Sequence, residues 1–209
     1  MGIKIEKSKK VINLFGGINF VIDKIKDSGL PCFIDNLLGV RPPQAEYRYS
    51  DIVLGNSYAN LCGGTCLNDI DVLKESWGNI PGLKISSSHN TSTVLRSLAT
   101  ETETIVSNTG VKHEFNKNPL LNNDFNWSNM PFSFLNKNTV FMQLTALTNI
   151  IYKYLANWAA SKVDWFKSNF RLKKFILRFI TVASRWKYRG RSWKLVLYTA
   201  QNYEAFNTS

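Results

Sequence analysis

The stretch from Phe170 to Lys194 carries nine lysine and arginine residues and no aspartate or glutamate. An unpaired charge is costly to bury, so this stretch must keep one side in water or against an anion whatever fold it adopts. Its apolar residues recur at the roughly 3.6-residue period of an α-helix, which predicts an amphipathic helix that reaches Trp186. The apolar side of this helix contains Leu172, Phe175, Ile176, Phe179, Ile180, Ala183 and Trp186, and the opposite side contains Arg171, Lys174, Arg178 and Arg185.

Beyond Trp186 the basic residues alternate with Tyr188 and Trp193, and Gly190 interrupts the run. A mixture of cationic and stacking side chains suits a polyanion that carries bases. The simpler alternative is a helix that packs on the core and keeps a solvated basic face. We interpret the stretch as a DNA-binding site formed by Arg171, Lys173, Lys174, Arg178, Arg185, Lys187, Arg189, Arg191 and Lys194.

The net charge of +11 in 209 residues is unevenly distributed. Residues 1–118 hold 13 basic and 12 acidic residues, whereas the rest hold 13 basic and 3 acidic ones. A neutral part followed by a strongly basic part indicates nucleic acid or an anionic membrane surface as the partner of the second. We predict a helical N-terminal module at 1–100, a loop-rich junction at 101–129 and a basic helical region at 130–209.

Apolar residues at helical spacing predict an all-helical bundle in the N-terminal module. The first helix runs from Ile18 to the stop at Ser28, and a second begins at Pro31, which a first helical turn tolerates. Ser50 is the predicted N-cap of a third helix, and Thr65 the predicted start of a fourth. Hydroxyl residues at 86–91 offer caps for a fifth.

The C-terminal region predicts a long helix, the basic helix and a short strand. The window 139–160 is apolar but includes Gln143, Asn149 and Lys153, which a membrane span would bury at a high cost, so we expect a core helix. Val, Leu, Tyr and Trp residues predict a strand at 192–199. The chain is therefore expected to be mainly α: a helical bundle, a basic helical hairpin packed on it or on a second copy, and a short strand.

The cysteines and histidines do not form a recognisable metal-binding pattern. The cysteines Cys32, Cys62 and Cys66 are odd in number, and the sequence does not open with the charged and apolar regions of a signal peptide. Both features are typical of a reduced cytosolic protein. His89 and His113 stand alone, without the paired spacing of a zinc site. We expect neither a metal site nor a hydrolase triad from these residues.

Several stretches resemble the insertion-sequence transposases of the DDE superfamily (transposase DDE domain, group 1). GGINFVIDKIKDSGL, YSDIVLGNSYANLCGGTCLNDIDVLK and STVLRSLATETETIVSNTGVKHEFN are similar to the helical N-terminal region of that family. FNWSNMPFSFLNKNTVFMQLTALTNIIYKYL and RLKKFILRFITVASRWK are similar to its C-terminal end. The resemblance implies a bacterial cytoplasmic, nucleoid-associated protein whose partners are DNA at transposon ends and either a second copy or a full-length transposase.

The family places a ribonuclease-H-like α/β domain between these ends, with two aspartates and a glutamate that hold two Mg²⁺ ions. That domain is missing from this sequence, and the seam lies near 117–122. Glu114 and Asp124 flank the seam, and we expect both to be solvated loop carboxylates. The resemblance therefore implies a truncated remnant of a ribonuclease-H-like transposase that binds DNA, has no catalytic residues and needs no cofactor.

Two other functions remain open from the sequence. The chain is an active transposase if a second polypeptide supplies the catalytic domain. It is a membrane-surface protein, without a membrane span, if the basic aromatic helix serves as an interfacial anchor. Nicking of a transposon end in Mg²⁺ or Mn²⁺ separates the active transposase from the truncated one. The membrane-surface protein differs from both in its ligand, which is an anionic vesicle rather than duplex DNA.

Overall fold

The computed structural model describes residues 12–77, 80–98 and 135–206. In these ranges the fold is mainly helical with a two-stranded antiparallel sheet, which confirms the predicted mainly α class for this part of the chain. The predicted junction, the seam, Glu114 and Asp124 lie outside the described residues. The helices are α1 (Ile18–Asp27), α2 (Leu30–Leu38), α3 (Tyr49–Leu61), α4 (Asp69–Trp77), α5 (Ser88–Leu98), α6 (Leu135–Lys162) and α7 (Leu172–Phe175), and the strands are β1 (Ala183–Arg189) and β2 (Ser192–Tyr198).

Helix α3 lies at the centre of the N-terminal helices. Every residue from Ile52 to Leu61 is buried, and the helix contacts α2, α4, α5 and α6. It begins at Tyr49 rather than after the predicted cap Ser50, because the Asp51 carboxylate accepts a hydrogen bond from the Arg48 amide at 2.9 Å. A helix surrounded in this way organises the core of the described part of the chain.

Helices α2 and α4 show how local chemistry sets helix ends. Gly29 separates α1 from α2 with a positive φ of 73°, a conformation that glycine adopts without steric cost, and Pro31 occupies the first turn of α2 as predicted. Helix α4 starts at Asp69, four residues after the predicted start at Thr65. The Asp69 carboxylate accepts amide hydrogen bonds from Thr65 at 2.6 Å and Cys66 at 3.0 Å, so the intervening segment is a turn that caps the helix.

The long helix α6 packs on α3 and α5. Leu155 and Ala159 have no exposed surface, and the Thr148 hydroxyl donates a hydrogen bond to the Ser57 hydroxyl of α3 at 3.0 Å inside the core. Its role as a core helix was predicted. Within the described ranges, no helix has both the length and the apolar character that crossing a membrane requires.

The basic segment is not the single helix predicted through Trp186. Helix α7 continues as one π-helical turn at Ile176–Ile180 and then stops, and β1 follows. The prediction was wrong because basic residues alternate with Ser, Trp and Tyr along residues 184–189. This is the two-residue period of a strand, and the residues pair with β2. The strand predicted at 192–199 is confirmed as β2.

Aromatic rings and a close backbone contact attach this segment to the rest of the protein. Phe179 is fully buried, and its ring lies 6.3 Å from that of Trp158 on α6, while Tyr152 and Phe175 lie 5.5 Å apart. The expected contact between the long helix and the basic segment is thus present. Gly17 approaches so closely that a Cβ there would lie 1.8 Å from the Phe179 carbonyl oxygen.

Candidate nucleic-acid interface

The β1–β2 hairpin presents two chemically different faces. Successive side chains of a strand point to opposite sides, and directly paired residues share a side. In the observed register Lys187 pairs with Lys194, and Tyr188 pairs with Trp193. One side, called the cationic face, therefore carries Arg185, Lys187, Arg189 and Lys194, and the other, called the aromatic face, carries Trp186, Tyr188 and Trp193.

The cationic face concentrates positive charge without compensation. Lys187 and Lys194 lie directly opposite each other, with Cα atoms about 5.5 Å apart in a hydrogen-bonded pair, and like charges in such positions are destabilising. Arg185 and Arg189 flank this pair at roughly 7 Å along β1. No carboxylate of residues 12–77, 80–98 or 135–206 forms an ion pair with any of the four. A bound polyanion would remove this repulsion.

Of the four helical cations, Arg178 lies at one end of the same surface. Arg178 lines a depression of about 460 Å³ together with Ala183 and Tyr198, which are paired on the cationic face. Lys173 and Lys174 are exposed on α7, and the Lys174 ammonium lies 4.0 Å from the centre of the Phe170 ring. Arg171 is the N-cap residue of that helix. Five of the nine predicted residues thus share one surface: Arg178, Arg185, Lys187, Arg189 and Lys194.

Arg191 lies at the tip of the hairpin rather than on either face. Gly190 and Arg191 have φ values of 62° and 60°, so they form the type I′ turn that matches the twist of a two-residue hairpin. Among the described residues, Arg191 is the one non-glycine residue with a positive φ, which costs on the order of 1 kcal/mol. The turn fixes the register that places the four cations together.

The aromatic face borders a cleft that the sequence did not reveal. The Trp186 indole donates a hydrogen bond to the Asn19 side-chain oxygen at 3.1 Å, and the Trp186 and Trp193 ring centres lie 6.5 Å apart. Between this face, α1 and the segment 201–206 lies a cleft of about 940 Å³. Phe20 and Asp23 of α1 line it, although they precede the hairpin by at least 160 positions in the sequence. No local pattern could have indicated it.

The cleft and the cationic face also differ in charge. Asp23 and Glu204 border the cleft, and Lys194 reaches it from the edge of β2. Partial desolvation raises the pKa of Asp23, an effect that Lys26 opposes and Asp27 reinforces. The carboxylates would repel phosphate, so the cleft and the cationic face favour different ligands.

The remaining carboxylates near helix ends serve structural roles. Hydrogen bonds from Ser88 lower the pKa of Asp71. Partial burial tends to raise the pKa of Asp69, but hydrogen bonds from Thr65 and Cys66 outweigh it, and the net pKa is lowered. Within the described ranges, no three histidine, cysteine, aspartate or glutamate residues are grouped as a metal site would require.

Comparison of the chain with protein-family models, with curated proteins and with solved structures finds no match.

Proposed function

We propose that this chain binds duplex DNA through the cationic face and that it derives from a DDE transposase without retaining strand-transfer chemistry. One observation carries the DNA-binding part: four cations share one side of a short hairpin, two of them directly opposed, and no described carboxylate neutralises them. Such an arrangement is unfavourable in the isolated protein and favourable against phosphates, because each contact releases condensed counterions.

The shape of the hairpin also suits a duplex. The major groove of B-DNA is about 12 Å wide and admits a two-stranded β-ribbon. The turn at Gly190 and Arg191 makes the tip narrow, and Arg178 extends the charged surface beyond the base of the ribbon. In this arrangement Lys187 and Lys194 contact phosphates, while Arg185 and Arg189 extend the contact along β1.

The origin of the chain is the second part of the proposal. The segments that resemble the transposase family flank the place where its ribonuclease-H-like domain would stand, and the described helices and hairpin are the parts that remain. The expected partners are DNA at transposon ends and either a second copy or a full-length transposase. We expect no strand-transfer chemistry, because the paired metal ions of such a domain are what activate water or a 3′-hydroxyl in the intact family.

Binding of a fluorescently labelled duplex tests the DNA-binding part. Changing Lys187→Ala together with Arg189→Ala should weaken affinity by on the order of 50-fold at about 0.1 M salt, since two phosphate contacts are lost. Lys84→Ala removes one exposed charge from a separate surface beside Arg48, and it should leave affinity nearly unchanged. Equal losses in both variants would contradict the proposal, as would tighter binding to anionic vesicles than to duplex DNA.

An assay for nicking tests the loss of chemistry. The protein should leave a duplex that carries cognate transposon ends intact in the presence of Mg²⁺ or Mn²⁺. A metal-dependent nick that Asp124→Ala or Glu114→Ala abolishes would overturn this part of the proposal, and it would restore the interpretation as an active transposase.

A further inference from the structure

Strand β2 leaves one edge open in the described part of the chain. The two residues that flank a two-residue hairpin turn form a hydrogen-bonded pair, and bonding then alternates along the strands. The backbone groups of Trp193, Leu195 and Leu197 therefore point away from β1. No backbone or side-chain group in residues 12–77, 80–98 or 135–206 bonds to them. Asn13 pairs with Ser184 of β1, so the open edge belongs to β2.

The cleft beside the aromatic face runs along this open edge. Every residue from Trp193 to Leu197 borders it on one side, and Phe20 and Asp23 of α1 border it on another. Its volume of about 940 Å³ lies within the roughly 300–1,000 Å³ that is usual for ligand pockets. An extended chain placed there could use the free N–H and C=O groups of β2 as a neighbouring strand would.

The side chains around the cleft define which extended chain fits. Trp193 is 53% exposed and offers a ring face, while Asp23 and Glu204 supply two carboxylates against the single ammonium of Lys194. A guanidinium group stacks on aromatic rings and pairs with carboxylates in a planar, two-pronged manner. An arginine side chain matches both features, whereas a phosphate would face two like charges.

We propose that this cleft binds an extended peptide segment that carries an arginine and adds as a third strand beside β2. The backbone of the segment bonds to the open edge, which is the usual source of affinity when a peptide joins a sheet, and the arginine provides the selectivity. Most of the cationic face lies on the opposite side of the hairpin from this site, and Lys194 borders both. The variants below distinguish the two sites, so each proposal can fail without the other.

Tryptophan fluorescence and calorimetry of the full chain test the proposal. The probe is a short acetylated peptide of threonine and serine with one central arginine. A peptide with citrulline, which keeps the shape of arginine but not its charge, should bind at least about tenfold more weakly. A third peptide with methylated backbone nitrogens on both sides of the arginine should also bind weakly, because it cannot donate the strand hydrogen bonds.

Variants then locate the site. Asp23→Asn should weaken binding of the arginine peptide by about tenfold and leave binding of the citrulline peptide unchanged. The Lys187→Ala, Arg189→Ala variant should bind the arginine peptide as the natural sequence does while it loses duplex affinity. Circular dichroism checks that each variant keeps its helical fold.

Several results would overturn the proposal. The first is an absence of saturable binding at millimolar peptide, and the second is equal affinity for the arginine and citrulline peptides. A third is displacement of the peptide by a single-stranded oligonucleotide, together with loss of oligonucleotide binding in the Trp193→Ala variant. That result would assign the cleft to nucleic acid. A fourth is a stable dimer that blocks the peptide, since β2 would then pair with a second copy.

Discussion

The two faces of the hairpin are built from the same strands yet contribute differently to the protein. On the aromatic face, Trp186 bonds to Asn19 of α1 and is half-buried, so this face helps to attach the hairpin. On the cationic face, Lys187 and Lys194 oppose each other and gain nothing from the described part of the fold. The aromatic face thus contributes to the fold, whereas the repulsion on the cationic face would be offset by the DNA ligand proposed above.

Truncation of a buried ring that comes shortly before the hairpin should give the largest effect. Phe179 is fully buried, and its ring centre lies within 6.4 Å of six other ring centres. Phe179→Ala should lower the free energy of unfolding by about 3–5 kcal/mol, because it leaves a cavity in the aromatic cluster. Urea denaturation followed by tryptophan fluorescence measures this loss.

Phe33→Ala is the matched control for that experiment. Phe33 is 62% exposed on α2, so its truncation should change the free energy of unfolding by no more than about 0.5 kcal/mol. A loss below about 1 kcal/mol for Phe179→Ala would show that the cluster does not support the hairpin.

A lower pH should weaken peptide binding at the cleft but not DNA binding at the cationic face. The pKa of Asp23 is raised above its usual value of 3.8, and an arginine would bind the ionised carboxylate. Affinity for the arginine peptide should therefore be greatest near neutral pH and fall by at least about threefold once the pH has dropped below this raised pKa. Besides the desolvation that raises it, Lys26 lowers and Asp27 raises the pKa of this group, and Glu204 and Lys194 also border the cleft.

Affinity for duplex DNA should not fall over the same range, since lysine and arginine stay protonated. The fold should also persist there. The pKa values of Asp69 and Asp71 are lowered, so their contribution to stability is complete above about 3.8 and is lost only as the pH falls through the lowered values. A parallel loss of both affinities above pH 4 would contradict the separation of the faces, and circular dichroism over the same range is the control.

The smallest expected effect concerns the repulsion on the cationic face. Lys187→Thr should raise the free energy of unfolding by about 0.2–1 kcal/mol, because it removes a pair of opposed like charges and introduces a residue that favours strands. The same variant should weaken duplex binding. Lys84→Thr changes an exposed lysine outside the hairpin, so it should change neither quantity. A loss of stability in Lys187→Thr would show that the lysine pair does not oppose the fold.

The sequence predicted much of the fold because helix signals are local. The periodic residues after Ile18, the proline at the start of α2 and the polar pattern of α6 each indicate a helix without knowledge of the neighbours. The hairpin was only half predicted. Residues 183–186 satisfy a helical period through Ala183 and Trp186 as well as a strand period, and pairing with β2 decides between them.

The candidate site was predicted as a set of residues but not as a geometry. All nine cations were named, yet a helix through Trp186 would have placed Arg185 on one face with Arg178 and Lys174. The strand instead places Arg185 on the same side as Lys187, Arg189 and Lys194. The cleft depends on a contact between Asp23 and segments near the C-terminus, which sequence periodicity cannot show.

The salt dependence of duplex binding tests the central claim most directly. If the cationic face contacts four or five phosphates, a plot of the logarithm of the association constant against the logarithm of salt concentration should have a slope of about −4. The Lys187→Ala, Arg189→Ala variant should reduce the magnitude of the slope by about 2. A slope near zero, or the same slope in both proteins, would show that the cationic face does not bind DNA.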